Sequence, residues 1–126
     1  MDKPCILVVD DEEHVRKALA RWFRICGFDV DVADDGDVAV KMCTDTAYDI
    51  ITMDLEMPRM GGVEAIDAIK HLHPDVPIIV LTGFSPDSEE AKNCGAAKIL
   101  TKPLRLRDLE AEVRQALGGA PDPQVA

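Results

Sequence analysis

The stretch Ile50-Ile51-Thr52-Met53-Asp54-Leu55-Glu56-Met57-Pro58-Arg59-Met60-Gly61-Gly62 indicates both how this chain folds and where its chemistry lies. A short run of strand-forming residues ends in the carboxylate of Asp54, and a turn containing proline and glycine follows. A carboxylate at the point where a buried strand stops is seldom needed for packing, because burying a charge is costly. Asp54 is therefore the first candidate functional residue.

Three other runs end in polar or charged residues: Cys5-Ile6-Leu7-Val8-Val9 in Asp10 and Asp11, Ile78-Ile79-Val80-Leu81 in Thr82, and the short run over 98–101 in Lys102, which Pro103 follows. In an open parallel sheet the carboxyl ends of the strands meet at one crevice, where ligands bind. We therefore expect three carboxylates, a hydroxyl and an amine to lie together. Such a set is suited to holding a divalent cation and a phosphoryl group.

Strands and helices are predicted to alternate five times along the chain. The strands lie near 5–9, 28–32, 49–53, 77–82 and 98–101, and the helices near 12–26, 36–46, 62–72, 86–94 and 105–117. Alternation with short loops is typical of βαβ units and of a parallel sheet covered by helices on both faces. The predicted helix over 86–94 is polar, so we expect it to be the least firmly held.

The apolar pattern of the strands also predicts their order. The first, third and fourth strands are almost wholly apolar, as expected of strands that are buried on both faces. The second strand contains Asp29 and Asp31, and the fifth is short and begins at Lys98, so both are predicted to be edges. This pattern favours a flavodoxin-like α/β fold, a three-layer (βα)5 sandwich around a five-stranded parallel sheet of order 2-1-3-4-5.

Length, composition and charge narrow the classes of function. With 126 residues, 47% of them hydrophobic, one domain is expected over 1–119, followed by a flexible tail or linker remnant over 120–126. The net charge of −10 disfavours direct binding to nucleic acid or to anionic membranes. No apolar stretch approaches the roughly 20 residues that span a bilayer. One group of acids is expected to form an exposed edge: Asp29, Asp31, Asp34, Asp35 and Asp37.

The four cysteines are scattered, and no C-x-x-C pair is present: Cys5, Cys26, Cys43 and Cys94. This spacing disfavours a zinc site. We expect reduced thiols that pack as small hydrophobic side chains. Because free thiols are typical of the cytosol, the predicted location is cytoplasmic.

Carboxylates that crowd together need a positive partner. At about 4 Å each pair of like charges costs on the order of 4 kcal/mol at an effective dielectric of about 20. Hard oxygen ligands suit Mg²⁺, with Mn²⁺ as an alternative. The Asp54 carboxylate can also attack phosphorus and form an acyl phosphate, while Lys102 and Thr82 contact the phosphoryl oxygens. Backbone N–H groups after Asp54 and Thr82 are further candidate donors, and Gly83 allows close approach.

Taken together, the motifs resemble those of bacterial two-component response regulator receiver domains. The resemblance rests on Asp10-Asp11, the stretch from Asp54 to Gly62, Thr82 and Lys102-Pro103, in that order, and covers about residues 4–118. It implies a phosphoacceptor domain of a phosphorelay, in which Asp54 takes a phosphoryl group from a histidine kinase or a phosphotransfer protein. Such a domain switches an effector protein or an output domain and is not a turnover enzyme. A monomer or a weak homodimer is expected.

The resemblance also implies a ligand set for the cation. Asp11 would bind Mg²⁺ directly, and Asp10 would bind it through a water molecule. Asp54 and the backbone carbonyl of Glu56 would complete the protein ligands.

Thr82 and Lys102 complete the machinery that the resemblance implies, as the switch hydroxyl and the phosphate anchor. The Lys102–Pro103 peptide bond is expected to be cis, as is usual in the family. The chain departs from the family at Ile99, because a Tyr or Phe usually lies two to three residues before the conserved lysine. The usual coupling between the switch hydroxyl and a rotating ring is therefore not available here.

Other function classes fit parts of the pattern. A phosphorylation-independent interaction module of the same fold is supported only by Ile99. An aspartate-nucleophile phosphatase usually has a second Asp two residues after the nucleophile, where this chain has Glu56, and the chain has no cap domain to enclose a substrate. A flavin or nucleotide site is disfavoured because the first strand–helix turn is acidic and lacks glycine.

Overall fold

Five short strands form one parallel sheet in the computed structural model, which describes residues 3–57, 60–83 and 94–118. The strands are β1 (Cys5–Val9), β2 (Asp29–Ala33), β3 (Ile50–Asp54), β4 (Ile78–Thr82) and β5 (Lys98–Thr101). Their order in the sheet is β2-β1-β3-β4-β5. The predicted order and both predicted edges are confirmed.

Within the described residues the chain forms four helices: α1 (Glu13–Ile25), α2 (Gly36–Asp45), α3 (Gly62–Leu72) and α4 (Leu106–Ala116). Each agrees with a predicted helix to within one residue at either end. The predicted helix over 86–94 lies outside the described residues apart from Cys94, and so does the predicted tail over 120–126. None of the helices described is both long enough and apolar enough to cross a lipid bilayer.

The sheet is packed on both faces, because successive side chains of a strand point to opposite sides. The even-numbered apolar residues of β1 pack in one cluster with Phe23 of α1 and Leu109 of α4. The odd-numbered ones pack in a second cluster with Ala39 of α2 and Ile66 of α3. The molecule therefore has the three layers of the predicted flavodoxin-like α/β sandwich.

The register of the strands aligns the ends that carry the candidate residues. Asp54 pairs with Leu81 across β3 and β4, so Thr82 lies one residue beyond Asp54 on the neighbouring strand. Thr82 in turn pairs with Thr101 of β5, and Lys102 follows directly. The parallel arrangement thus places the candidate residues together at the carboxyl ends of the strands.

One expectation about the acidic edge was wrong. Asp29 and Asp31 are exposed on β2, but Asp35 is only 1% exposed. Its carboxylate caps the first turn of α2 by accepting a hydrogen bond of 3.0 Å from the Val38 N–H. Aspartate is favoured at this position because it satisfies a helical N–H that has no partner within the helix.

None of the four cysteines, all of which lie within the described residues, forms a disulfide bond. Cys43 and Cys94 are buried, and Cys5 and Cys26 are partly buried. Burial raises the pKa of the Cys43 thiol to about 11, so this side chain stays neutral and packs as a small apolar group.

Candidate functional site at the carboxyl ends of the strands

Three carboxylates lie together where β1 and β3 end. Asp10 and Asp11 directly follow β1, Asp54 is the last residue of β3, and the two strands are neighbours in the sheet. One oxygen from each carboxylate lies within 4.8 Å of the other two. Asp10 and Asp54 are buried, whereas Asp11 is exposed. The structure therefore brings the three predicted acids into one group that reaches solvent at Asp11.

Lys102 enters the same group from the end of β5. Its Nζ donates a hydrogen bond of 3.2 Å to Asp10 Oδ2 and lies 3.4 Å from Asp54 Oδ2. Its backbone N–H donates to the Thr82 carbonyl at 2.8 Å, which extends the β4–β5 pairing by one residue. The Lys102–Pro103 bond is cis, as the family resemblance implied. One ammonium thus faces two buried carboxylates.

The turn after β3 fixes the Asp54 carboxylate through a backbone hydrogen bond. The Glu56 N–H donates to Asp54 Oδ1 at 3.0 Å, which leaves Oδ2 to face Lys102. Helix α3 begins directly against this turn at Gly62. A Cβ on Gly62 would lie only 2.6 Å from the Asp54 carbonyl oxygen and 2.7 Å from the Leu55 Cα, so only glycine fits at this position.

Asp10 is held by backbone contacts as well as by Lys102. Its Oδ1 accepts a hydrogen bond of 2.9 Å from the Glu12 N–H at the start of α1. Its carbonyl accepts a bond of 2.8 Å from Arg16 Nη1. Arg16 was not among the residues predicted from the sequence, although a basic residue in the first turns of a helix that follows two acids is a signal for such a contact.

The Glu56 side chain also makes a contact that was not predicted from the sequence. Its Oε1 accepts a hydrogen bond of 2.8 Å from the backbone N–H of Gly83, 27 residues along the chain. Gly83 directly follows Thr82, which is fully buried at the end of β4. The Glu56 carboxylate therefore joins the loop after β3 to the loop after β4. No sequence pattern predicts this contact, since it depends on how the two loops approach each other.

The electrostatics of the site follow from burial and from the excess of negative charge. Burial raises the pKa of Asp54 to about 6, and the Asp10 carboxylate acts in the same direction. The Glu56 N–H and the Lys102 ammonium oppose this rise but do not cancel it. For Lys102, burial lowers the pKa, but the carboxylates of Asp54 and Asp10 raise it more, so the net shift is upward. Lys102 therefore stays charged, and the group still lacks positive charge.

The chain is similar to proteins of one known family. The family described as the response regulator receiver domain matches residues 6–114. The transcriptional regulatory protein PrrA of Mycobacterium leprae is 37% identical over 119 residues, which cover 93% of this chain and 51% of that protein. The chain spans about half the length of this curated relative and of the MprA response regulators that it matches.

Solved structures agree with the family match. A CheY-like response regulator receiver domain protein from Methanospirillum hungatei superposes with a TM-score of 0.88 over 93% of this chain and 95% of that one. At 24% identity this likeness supports the fold alone. The response regulator TrrA of Thermotoga maritima, solved in complex with Mg²⁺–BeF, is 31% identical, with a TM-score of 0.82 over 90% of this chain and 98% of that one. The chain belongs to the response regulator receiver domain family.

Proposed function

We propose that this receiver domain accepts a phosphoryl group on the Asp54 carboxylate from a phosphohistidine of a histidine kinase or a phosphotransfer protein. The observation that carries the proposal is the placement of Asp54, which is 3% exposed, with its Oδ2 3.4 Å from the Lys102 ammonium. A buried carboxylate beside a fixed cation at the carboxyl end of a parallel sheet is suited to acyl phosphate formation. The relative TrrA, whose structure holds Mg²⁺–BeF, supports the assignment.

In the proposed step one carboxylate oxygen of Asp54 attacks phosphorus, and the P–N bond to the imidazole of the donor breaks. The electron pair of that bond stays on the imidazole nitrogen, which takes up a proton as it leaves. Lys102 then offsets the charge on the phosphoryl oxygens. The Thr82 hydroxyl and the Gly83 N–H, at the end of β4, are the proposed hydrogen-bond donors to those oxygens.

The donor set at the site fits Mg²⁺, with Mn²⁺ as an alternative. Three carboxylates with oxygens within 4.8 Å of one another offer hard ligands and an uncompensated negative charge. Asp10, Asp11, Asp54 and the backbone carbonyl of Glu56 are the proposed ligands. When bound, the cation would supply positive charge to the phosphoryl oxygens and to the carboxylates around them.

Phosphorylation is proposed to act as a switch and not as turnover of a substrate. The new charge on Asp54 would favour a second arrangement of Thr82 and the loop after β4. Ile99 of β5 pairs with Val80 of β4, and it packs against the core cluster that includes residues of α2 and α3. A side chain held in this way has no ring to rotate, so the proposed route to the output runs through the β4 loop without an aromatic partner.

The proposed setting of the domain is the cytoplasm, where free thiols are stable. An output domain or an effector protein is the proposed receiver of the signal. The relatives that are twice as long as this chain support an output domain in the same polypeptide. Because the net charge is −10, we propose that the domain itself does not bind nucleic acid. The proposed oligomeric state is a monomer or a weak homodimer.

The experiment that tests the proposed function is intact mass spectrometry after incubation with phosphoramidate, a small P–N phosphodonor. Wild type and Asp54→Asn are compared with Mg²⁺ and with EDTA. Asp75→Asn serves as a control, because it removes an exposed acid from the loop before β4, at the opposite end of the strands. One added phosphoryl group is expected in wild type and in Asp75→Asn, and only with Mg²⁺. Labelling of Asp54→Asn, or no labelling of wild type, would overturn the proposal.

A further inference from the structure

The carboxylate of Glu56 is an anion, and it occupies a backbone donor that is proposed to bind the phosphoryl group. Its Oε1 lies 2.8 Å from the Gly83 nitrogen, and the Gly83 N–H points at this oxygen. The absence of a side chain on Gly83 permits the approach, because a Cβ there would lie 2.9 Å from Oε1. The Glu56 carboxylate therefore accepts a hydrogen bond from the Gly83 N–H and is not only close to it.

The same two loops also surround the carboxylate of Asp54. The Glu56 N–H donates to Asp54 Oδ1, so the backbone of Glu56 is tied to the nucleophile while its side chain is tied to Gly83. Gly83 follows Thr82, whose strand pairs with the strand that Asp54 ends. A phosphoryl oxygen on Asp54 and the Glu56 carboxylate would therefore seek the same N–H, and two anions cannot share one donor without repulsion.

We propose that the Glu56 carboxylate is an intramolecular competitor of the phosphoryl group for the Gly83 N–H. It occupies this donor in the unphosphorylated domain and leaves it when Asp54 is phosphorylated. Only side-chain torsions need to change, because Glu56 is exposed and its backbone contact to Asp54 can persist. This inference rests on the proposed function and gives the Glu56 side chain a role in phosphoryl binding beside the role proposed for its backbone carbonyl.

The proposal predicts a definite effect on affinity. A receiver in which the donor is already occupied must break that contact before it binds a phosphoryl analogue, and its apparent affinity falls by the fraction of molecules in which the donor is free. One exposed charge-assisted hydrogen bond corresponds to a factor of roughly five in such an equilibrium. Removing the competitor is therefore expected to tighten binding by about that factor.

Three substitutions at Glu56 separate competition from simple charge repulsion. Glu56→Ala removes both the contact and the charge, and Glu56→Gln keeps the length but not the charge. Glu56→Asp keeps the charge, but its side chain is one methylene shorter and is not expected to reach the Gly83 N–H. Glu64→Gln, which removes a negative charge from the first turn of α3, is the matched control.

The contact itself can be measured in the metal-free protein. Labelling with [¹⁵N]glycine gives one amide signal for each of the eight glycines, and Gly83→Ala assigns the signal of Gly83. Loss of a carboxylate acceptor is expected to move the Gly83 proton upfield in Glu56→Ala and Glu56→Asp, but not in Glu64→Gln. An unchanged Gly83 signal in Glu56→Ala would show that the contact is absent in solution and would overturn the inference.

The consequence is measured by titrating each variant with beryllium fluoride, a non-transferable phosphoryl analogue, in saturating Mg²⁺. The half-saturating concentration is expected to be about fivefold lower in Glu56→Ala and Glu56→Asp than in wild type and Glu64→Gln. Tighter binding in Glu56→Ala and Glu56→Gln with wild-type binding in Glu56→Asp would show charge repulsion alone and would refute competition. Equal binding by all variants would refute this inference only, whereas no binding by any of them would refute the proposed function as well.

Discussion

Lys102 and Asp54 are separated by 48 residues in the chain, yet Lys102 Nζ lies 3.4 Å from Asp54 Oδ2. The ammonium also contacts Asp10 Oδ2 at 3.2 Å, so one positive charge faces two carboxylates that are almost completely buried. One positive charge does not neutralise two negative charges, and this imbalance underlies the first three predictions below.

The first prediction concerns the stability of the metal-free protein. The pKa of Asp54 is raised to about 6 in the folded domain, against about 4 in an unfolded chain. The folded state therefore binds the proton more tightly, and stability is lost as the pH rises from about 4 through 6. Asp54→Asn should remove this loss and raise the free energy of unfolding by about 1–3 kcal/mol at pH 8.

Urea denaturation in EDTA at pH 8 and at pH 4 measures this effect. The gain from Asp54→Asn should shrink to about 0.5 kcal/mol at pH 4, where the carboxyl is protonated in the folded state and about half protonated in the unfolded state. A gain of equal size at both pH values would mean that packing, and not charge, is responsible.

The second prediction concerns the ammonium group of Lys102. Lys102→Gln should lower the free energy of unfolding of the metal-free domain by about 1–3 kcal/mol at pH 8, because Asp10 and Asp54 lose their common partner. Lys98→Gln is the matched control, since Lys98 lies 3.8 Å from Glu112 at the surface and should contribute no more than about 0.5 kcal/mol. Equal losses in the two variants would contradict a special role for Lys102.

The third prediction concerns Mg²⁺. A cation that binds only the folded state should raise the free energy of unfolding by about 1.4 kcal/mol at ten times its dissociation constant. Thermal unfolding with and without MgCl₂ should show this gain in wild type and in Asp75→Asn. The gain should be largely lost in Asp11→Asn and Asp54→Asn, whose carboxylates belong to the group within 4.8 Å. An undiminished gain in Asp11→Asn would place the cation elsewhere.

The fourth prediction concerns the attachment of α4 to the rest of the fold. Arg114 donates to the Cys26 carbonyl at 2.9 Å and to Glu110 at 2.8 Å, and its guanidinium lies 5.3 Å from the ring centroid of Phe28. Arg114→Ala should therefore destabilise the domain by about 1–2 kcal/mol, because a carbonyl, a carboxylate and an aromatic face lose one partner. Chemical denaturation measures the change, with the exposed Arg107→Ala on the same helix as the control.

Much of the architecture followed from local pattern. Strands buried on both faces need continuous apolar runs, and edge strands tolerate charges such as Asp29 on β2 and Lys98 on β5. Because parallel strands bring their carboxyl ends to one edge, the residues at those ends were expected to meet, and Asp10, Asp54 and Lys102 do so. The strand order and the composition of the acidic group could therefore be predicted from the sequence.

Other features did not follow from the pattern of apolar residues. Asp35 was expected on an exposed edge, but it is buried as the cap of α2, since the turn after β2 directs its carboxylate to the Val38 N–H. The bond from the Gly83 N–H to Glu56 joins two loops that no periodic pattern relates.

The sequence by itself determined which side chains stand at the strand ends, because apolar periodicity and strand length are local properties of the chain. Only the tertiary structure decided how those side chains divide the available donors and charges. Asp54 faces Lys102 with one oxygen and the Glu56 N–H with the other, while the Glu56 carboxylate takes the Gly83 N–H. These contacts depend on loop approach and burial, which the packing of the whole domain sets.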